Sequence, residues 1–580
     1  MIWFFSDPPR SKREREALED LVSRVDWLVP GEWRIDGSLR LIWDADIVVG
    51  DRSFPVSLRY PSHFPHSPPV VLPRGDTERW SSHQYGAGGE LCLEFGPDNW
   101  RADITGADMI ESAHRLLAGE RPSLQETGQV ATRHATTLGQ KLSGDLMRML
   151  ITRDLAAVIE RITEGAICEV SLTSTWRDRS GVYTISSITL PGDEKWSDTS
   201  IPKTIVSEGF DQAAAILLWS SDKKLPSLNS LADFHASALA QGFTIPDVKY
   251  VVLKKGDAFH AYFLWKDDDT VARISIIPPQ AQNIRTDESH ASLKERKVAI
   301  VGCGSLGSKV AVMLARGGVE NFLLIDDDIM LPDNIVRHDL DWREIGRHKV
   351  DGVATRIGLV NPSANCHTRQ YRLGGQQSSG SVETLIERLA TCDLIVDASA
   401  NPKVFNYLCA AAEVGKKALL WAEVFGGGFG GLIARHRPER EPAPAMMRAQ
   451  IEQWCADQGK PIERAAGGYE TRGDGPPMIA DDADVSVIAA HAARLAIDTL
   501  IPREPSMFPS SVYMIGLSEG WIFDQPFDTR PIDVGLPEAR VTEAVDETIA
   551  QEENARVLQL FKNYANASGT DTANSAAASE

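Results

Sequence analysis

The run Lys297-Val-Ala-Ile-Val301 followed by Gly302-Cys-Gly304-Ser-Leu-Gly307 constrains this chain more than any other feature. Five residues leading into three closely spaced glycines, with helical spacing through Arg316, predict a buried strand, a tight turn and a helix. The glycines allow the backbone to turn and to approach a phosphate, and the helix N-terminus supplies free N–H groups and positive dipole. A second strand predicted over residues 321–325 ends in Asp326-Asp327-Asp328. Asp326 lies about twenty residues past the glycines, where an acid accepts bonds from ribose hydroxyls.

Up to Asp328 the pattern fits an NAD-dependent dehydrogenase and an ATP-using enzyme equally. Asn334, Arg337 and Lys349 separate the two; they stand in Asp333-Asn-Ile-Val-Arg-His338 and Gly346-Arg-His-Lys-Val350. Hydride transfer needs no cationic cluster beyond the second strand. Attack of a carboxylate on an α-phosphate does, because charge develops there in the transition state.

At 580 residues the chain exceeds one hydrophobic core. Four segments are expected: an α+β domain at 1–150, a second α+β domain at 151–290, an α/β doubly wound domain at 291–535, and a partly disordered tail at 536–580. In the first, helical spacing over 14–30 puts Leu18, Leu21, Val22 and Val25 on one face, alternating runs follow at 38–49 and 54–60, and helical pattern returns at 105–117 and near 143–163. In the second, strands are expected at 168–174, 182–190, 214–219, 249–253, 259–265 and 271–277, with a helix at 229–241. From about residue 566 Ala, Ser, Thr and Asn dominate, which predicts disorder.

The formal net charge of −21 opposes a surface built to grip nucleic acid or anionic lipid. The most apolar stretch, 418–434, falls short of the roughly 20 apolar residues of a spanning helix. With no signal peptide at 1–10 and seven scattered cysteines lacking any C-x-x-C pair, the expected compartment is the reducing cytoplasm.

Over 296–435 closely, and 436–535 loosely, the sequence resembles the ThiF/MoeB-type adenylation domain of ubiquitin-like activating enzymes, a family that includes the sulfur-carrier activators of thiamine and molybdopterin synthesis. The resemblance rests on the glycine loop, on LIDDD, on DNIVRHDL and on GRHKV. It implies that Gly302, Gly304 and Gly307 cradle ATP, that Asp326, with Asp328 beside it, holds ribose, and that Asn334, Arg337 and Lys349 contact phosphates. The family's Asp-x-x-Asp-Asn run, whose second acid helps hold Mg2+, is here Asp397-Ala-Ser-Ala400-Asn401. Ala400 cannot bind a metal, which leaves Asp397, Asp328, or ATP and water to hold the ion.

A second constellation lies near the N-terminus: Tyr60-Pro-Ser-His-Phe-Pro65, then His83-Gln84, then Glu90-Leu-Cys92-Leu, with Trp100 eight residues on. Over 14–120 this resembles the ubiquitin-conjugating-enzyme core, and implies that Cys92 carries an acyl group as a thioester. Such exchange is nearly balanced in energy, so the site needs access and orientation more than a strong base. Gln84 stands where that family has an oxyanion-steadying asparagine, and as a carboxamide can serve the same role.

Together the resemblances match fusion proteins of antiphage signalling operons. They imply ATP-dependent adenylylation of the C-terminal glycine of a ubiquitin-like or nucleotidyltransferase carrier, thioester formation, ligation to a target protein amine, and a homodimer. A thiocarboxylate-forming sulfur-carrier activator and a nucleotide-sensing scaffold are the alternatives. Cys455, within a helical pattern over 446–454 but near Lys460 and Arg464, is a candidate second thiol, against direct attack by Cys92 on the acyl-adenylate.

Overall fold

A computed structural model describes residues 2–75, 79–86, 88–120, 130, 137–219, 222–279, 287–375, 379–460, 480–537 and 547–576. The chain divides into two compact units, Met1–Gly144 and Asp145–Glu580. Among the described residues, no helix is long and apolar enough to cross a membrane.

In the first unit, after a single helical turn at Trp3–Ser6, helix α1 (Pro8–Arg24) starts earlier than the hydrophobic spacing indicates, because the Asp7 side chain caps Arg10 N–H at 3.1 Å and Pro8 opens the first turn. Strands β1 (Leu28–Ile35), β2 (Leu41–Val49), β3 (Arg52–Arg59) and β4 (Val70–Pro73) form an antiparallel meander, and helix α2 (Gly106–Glu120) follows. Leu18 and Leu21 of α1, Ile47, Phe54, Val56 and Leu58 of the sheet and Ile110 of α2 share one core. Glu14 ties α1 to α2: its buried carboxylate accepts from Arg10 Nε at 2.8 Å, the Tyr60 hydroxyl at 2.9 Å and Gly106 N–H at 2.6 Å. Burial nonetheless raises its pKa, these donors pulling the other way.

The second unit contains two eight-stranded sheets. The first consists of β5 (Met147–Leu150), β6 (Ile167–Arg177), β7 (Ser180–Thr189), β8 (Lys195–Ser197), β9 (Phe210–Trp219), β10 (Tyr250–Lys255), β11 (Ala258–Trp265) and β12 (Thr270–Ile277). Because β5 pairs with both β12 and β7, the pairings close into a ring. Helix α3 (Arg153–Ile159) packs one face through Leu155 and Val158; helix α4 (Leu231–Ala240) packs the other through Phe234. Residues 147–150, expected to be helical and to close the first domain, are therefore a strand of the second unit. A boundary at 150 falls past the division at Gly144, and the segments on either side of 290 belong to one compact unit.

The second sheet contains β13 (Lys297–Val301), α5 (Ser305–Gly317), β14 (Asn321–Ile325), α6 (Lys349–Val360), β15 (Asn365–Arg369), α7 (Ser379–Ala390), β16 (Leu394–Asp397), α8 (Pro402–Gly415), β17 (Ala418–Val424), β18 (Gly430–His436), α9 (Pro444–Asp457), α10 (Asp482–Leu500), β19 (Val512–Gly516) and β20 (Thr529–Ile532). Its order is β15-β14-β13-β16-β17-β18-β19-β20, parallel through β17 and antiparallel beyond. Apolar residues on both faces make two cores, the signature of a sheet covered by helices on each side. The order reverses between β13 and β16, so their carboxyl ends open a crevice at a topological switch point.

Helix α11 (Glu547–Ala576) occupies much of the segment expected to be a disordered tail. Its alanines, glutamates and glutamines favour helix, which composition alone does not distinguish from disorder.

Candidate functional site

The glycine loop lies in the switch-point crevice. Gly302 has φ +88, and a Cβ there would meet Ala398 and Ser399 backbone at 2.9 Å; one on Gly307 would lie 1.9 Å from Gly302 O. These two glycines therefore let the turn close. Gly304 differs: nothing lies within 4 Å of its would-be Cβ. The N–H groups of Gly304, Ser305 and Leu306 at the start of α5 have no backbone acceptor among the described residues. An open glycine beside unclaimed N–H groups fits a nucleotide phosphate.

Asp326 stands directly after β14, and its carboxylate accepts from Cys303 N–H at 2.6 Å and Asp328 N–H at 2.8 Å. Burial raises its pKa against the pull of those two N–H groups and of Lys349. Asp328 is ion-paired with Lys349 Nζ; Lys349, only 8% exposed, opens α6. The glycine loop, Asp326, Asp328 and Lys349 thus form one connected group. Asn334 uses its side-chain oxygen to accept from Leu331 N–H at 3.0 Å, and the half-buried Arg337 has no ion-pair partner among the described residues.

His338, which sequence reasoning passed over, completes this group. Buried, it donates from Nε2 to Cys303 O at 2.8 Å, while Nδ1 accepts from Leu340 N–H at 3.1 Å, which defines the tautomer. Burial lowers its pKa to about 4, so the ring is neutral at ordinary pH. It follows Arg337 in the quoted segment, but its partner is distant in sequence and no periodicity announces it. The variant His338→Ala is expected to weaken ATP binding roughly tenfold by calorimetry, since an unpaired buried carbonyl costs about 1–3 kcal/mol, whereas His338→Gln recovers part of the loss.

Asp397 ends β16 beside Val301 and accepts from Ser399 N–H at 2.9 Å and Ser399 Oγ at 2.6 Å. Complete burial raises its pKa to about 6 despite those bonds. Between about pH 4, where the unfolded side chain ionises, and about pH 6, the folded state holds a proton the unfolded state has released. Stability due to this group therefore falls as pH rises through that window and is level above it. Asp397→Asn should remove this slope and gain up to roughly 3 kcal/mol at pH 7, read from paired denaturation curves.

Asp397 and Asp328 are thus both engaged within the protein, and no cluster of three or more metal-ligating side chains occurs among the described residues. Among the described residues the donor set does not by itself make a Mg2+ site.

Cys92 lies on a short hairpin: its N–H donates to His83 O at 2.7 Å, Gln84 pairs with Leu91, and Tyr85 N–H donates to Glu90 O at 3.0 Å. The thiol is half-buried. Burial raises its pKa, Tyr85 lowers it, Glu90 raises it again and Arg79 lowers it. Gln84 is buried, with its oxygen accepting from Trp80 N–H at 2.8 Å and its nitrogen donating to Gly89 O at 2.9 Å. Both ends clamp the hairpin, so an oxyanion role requires release from Gly89. Trp100 donates from Nε1 to Pro65 O at 2.7 Å, pinning the tyrosine–proline passage.

Cys455, the candidate second thiol, lies in the core. Its side chain is fully buried on α9 in one core with Met447 and Ile451, and burial raises its pKa to about 11, with Glu452 adding to the effect. Lys460 does not offset this, and Arg464 lies outside the described residues. The apolar face of the helix governs this cysteine rather than the nearby basic residues.

A strand, glycine loop and helix at the switch point, backed by an acid after the next strand and a buried lysine, define a nucleotide-binding α/β domain. Residues 279–443 match the ThiF family and lie within the second compact unit. It is 26% identical to the uncharacterized protein y4qC of Sinorhizobium fredii over 74% of this chain and 79% of that protein. It is 30% identical to the ATP-dependent ubiquitin transferase-like protein Cap2 of Escherichia coli over 23% of this chain and 22% of that one. Against the sulfur carrier protein ThiS adenylyltransferase of E. coli the identity is also 30%, over 25% of this chain and 55% of that one. Among solved structures, E. coli MccB with AMPCPP and MccA aligns over 44% of this chain and 67% of that one, at 16% identity and a TM-score of 0.33.

Proposed function

We propose that this protein activates the C-terminal carboxylate of a carrier protein by adenylylation with ATP and passes the acyl group to Cys92 for ligation to an amine. The observation that carries the reading is Lys349, a buried cation held by Asp328 next to the glycine loop and Asp326. A buried lysine so placed offers a fixed positive charge to a phosphate, where water cannot screen it. The loop N–H groups bind phosphate, Asp326 accepts from ribose, and Arg337 adds a second cation. The names of Cap2 and the ThiS adenylyltransferase support nucleotide-dependent activation of a carrier protein. The domain order supports the fusion reading, with a thiol-bearing unit ahead of the ThiF-type one.

In this reading the carboxylate attacks the α-phosphate, pyrophosphate leaves, and Cys92 displaces AMP. Burial of Cys455 supports direct transfer to Cys92 over a relay through a second thiol. The protein acts as a homodimer, which light scattering will test. The activity is tested by exchange of labelled pyrophosphate into ATP, dependent on a glycine-terminated protein encoded beside the gene. Exchange that proceeds equally without such a protein refutes the reading.

A further inference from the structure

The hairpin that carries Cys92 sorts its residues into two faces. In the register set by the Cys92–His83 and Tyr85–Glu90 backbone bonds, Gln84 and Leu91 point inward and are 4% and 5% exposed. His83, Tyr85, Glu90 and Cys92 alternate onto the other face. There Tyr85 and Cys92 are diagonal neighbours across the hairpin, and the Tyr85 side chain is 64% exposed. Glu90 pairs with Tyr85 across the hairpin and stands two residues from Cys92 on the same face, and its carboxylate pairs with no cation among the described residues.

The other charged groups at the hairpin hold partners of their own, although the Arg79 cation also acts on Cys92, in the opposite sense to Glu90. Arg79 donates to the carbonyls of Ser81 and Ser82, each at 3.1 Å, and of Gln84 at 3.5 Å. His83 Nε2 lies 3.0 Å from Val130 O and 3.6 Å from Glu120. A carboxylate with no cation partner among the described residues, set beside a thioester, opposes both a thiolate and an oxyanion. It suits a nucleophile that arrives positively charged and must lose a proton before it can attack.

We propose that Glu90 and Tyr85 are catalytic residues that make Cys92 selective for a primary amine. This rests on the reading of Cys92 as an acyl carrier. Glu90 binds the ammonium and takes one proton, which it later yields to water. The amine nitrogen then forms a bond to the thioester carbonyl carbon. As the carbon–sulfur bond breaks, Cys92 takes that electron pair. The second proton of the nitrogen passes to the sulfur through the Tyr85 hydroxyl, leaving an amide and a free thiol, with no oxidant or reductant consumed.

The test uses the full chain. Acetylglycyl-mercaptoethanesulfonate thioester loads Cys92 by thiol exchange, with Cys92→Ala as the site control. The isolated acyl-protein is then challenged with L-lysine or with 2-mercaptoethanol, and mass spectrometry follows loss of the acyl group. Glu90→Gln should slow discharge to lysine by at least about tenfold and leave discharge to the thiol within about twofold; Tyr85→Phe should slow both about tenfold. Equal slowing of both discharges by Glu90→Gln, or no slowing at all, overturns the assignment while the carrier role of Cys92 stands. Failure of the wild-type chain to load at Cys92 overturns that role and this inference with it.

Discussion

Lys349→Ala lowers carrier-dependent ATP–pyrophosphate exchange by about 10²–10³, the usual loss when one preorganised charge is removed from a developing transition state. The lysine is buried and ion-paired, so its removal also leaves Asp328 without its partner beside the nucleotide. A thermal-unfolding measurement on the same variant separates loss of charge from loss of fold. A variant that melts like wild type yet exchanges at the wild-type rate removes Lys349 from the active group.

Cys92→Ala abolishes the carrier adduct that reducing agents cleave and stops ligation to amines, while exchange continues at the wild-type rate. Adenylylation precedes any thiol step, and the two residues stand in different compact units. Cys92→Ser should trap the acyl group as an oxyester that survives reducing agents, because an alkoxide is a poorer leaving group than a thiolate. Gel mobility with and without reductant reads both outcomes. Normal ligation by Cys92→Ala means the acyl group travels by another thiol.

Much of the nucleotide-binding element was legible because it is local. A strand, three glycines and a helix are consecutive in sequence, and β13, α5 and β14 lie where hydrophobic spacing puts them. The strands of the ring sheet were likewise readable, each being a short apolar run between turn residues. Residues 147–150 were not, since a four-residue strand leading into helix α3 has too few positions to display a period of two.

Sequence by itself determined a strand, glycine loop and helix followed by ordered acids and cations, and a cysteine among fragments that resemble a conjugating enzyme. Those signals survive in one dimension because backbone turns and strand–helix periods act over a few residues. Tertiary structure decided which side chains are available. It paired Lys349 with Asp328, locked Cys303 O to His338, spent Gln84 on the hairpin and buried Cys455. It left Glu90 without an ion-pair partner among the described residues, on the same face as Cys92. Burial and pairing depend on groups brought together from distant positions, and one residue's neighbours in sequence do not specify them.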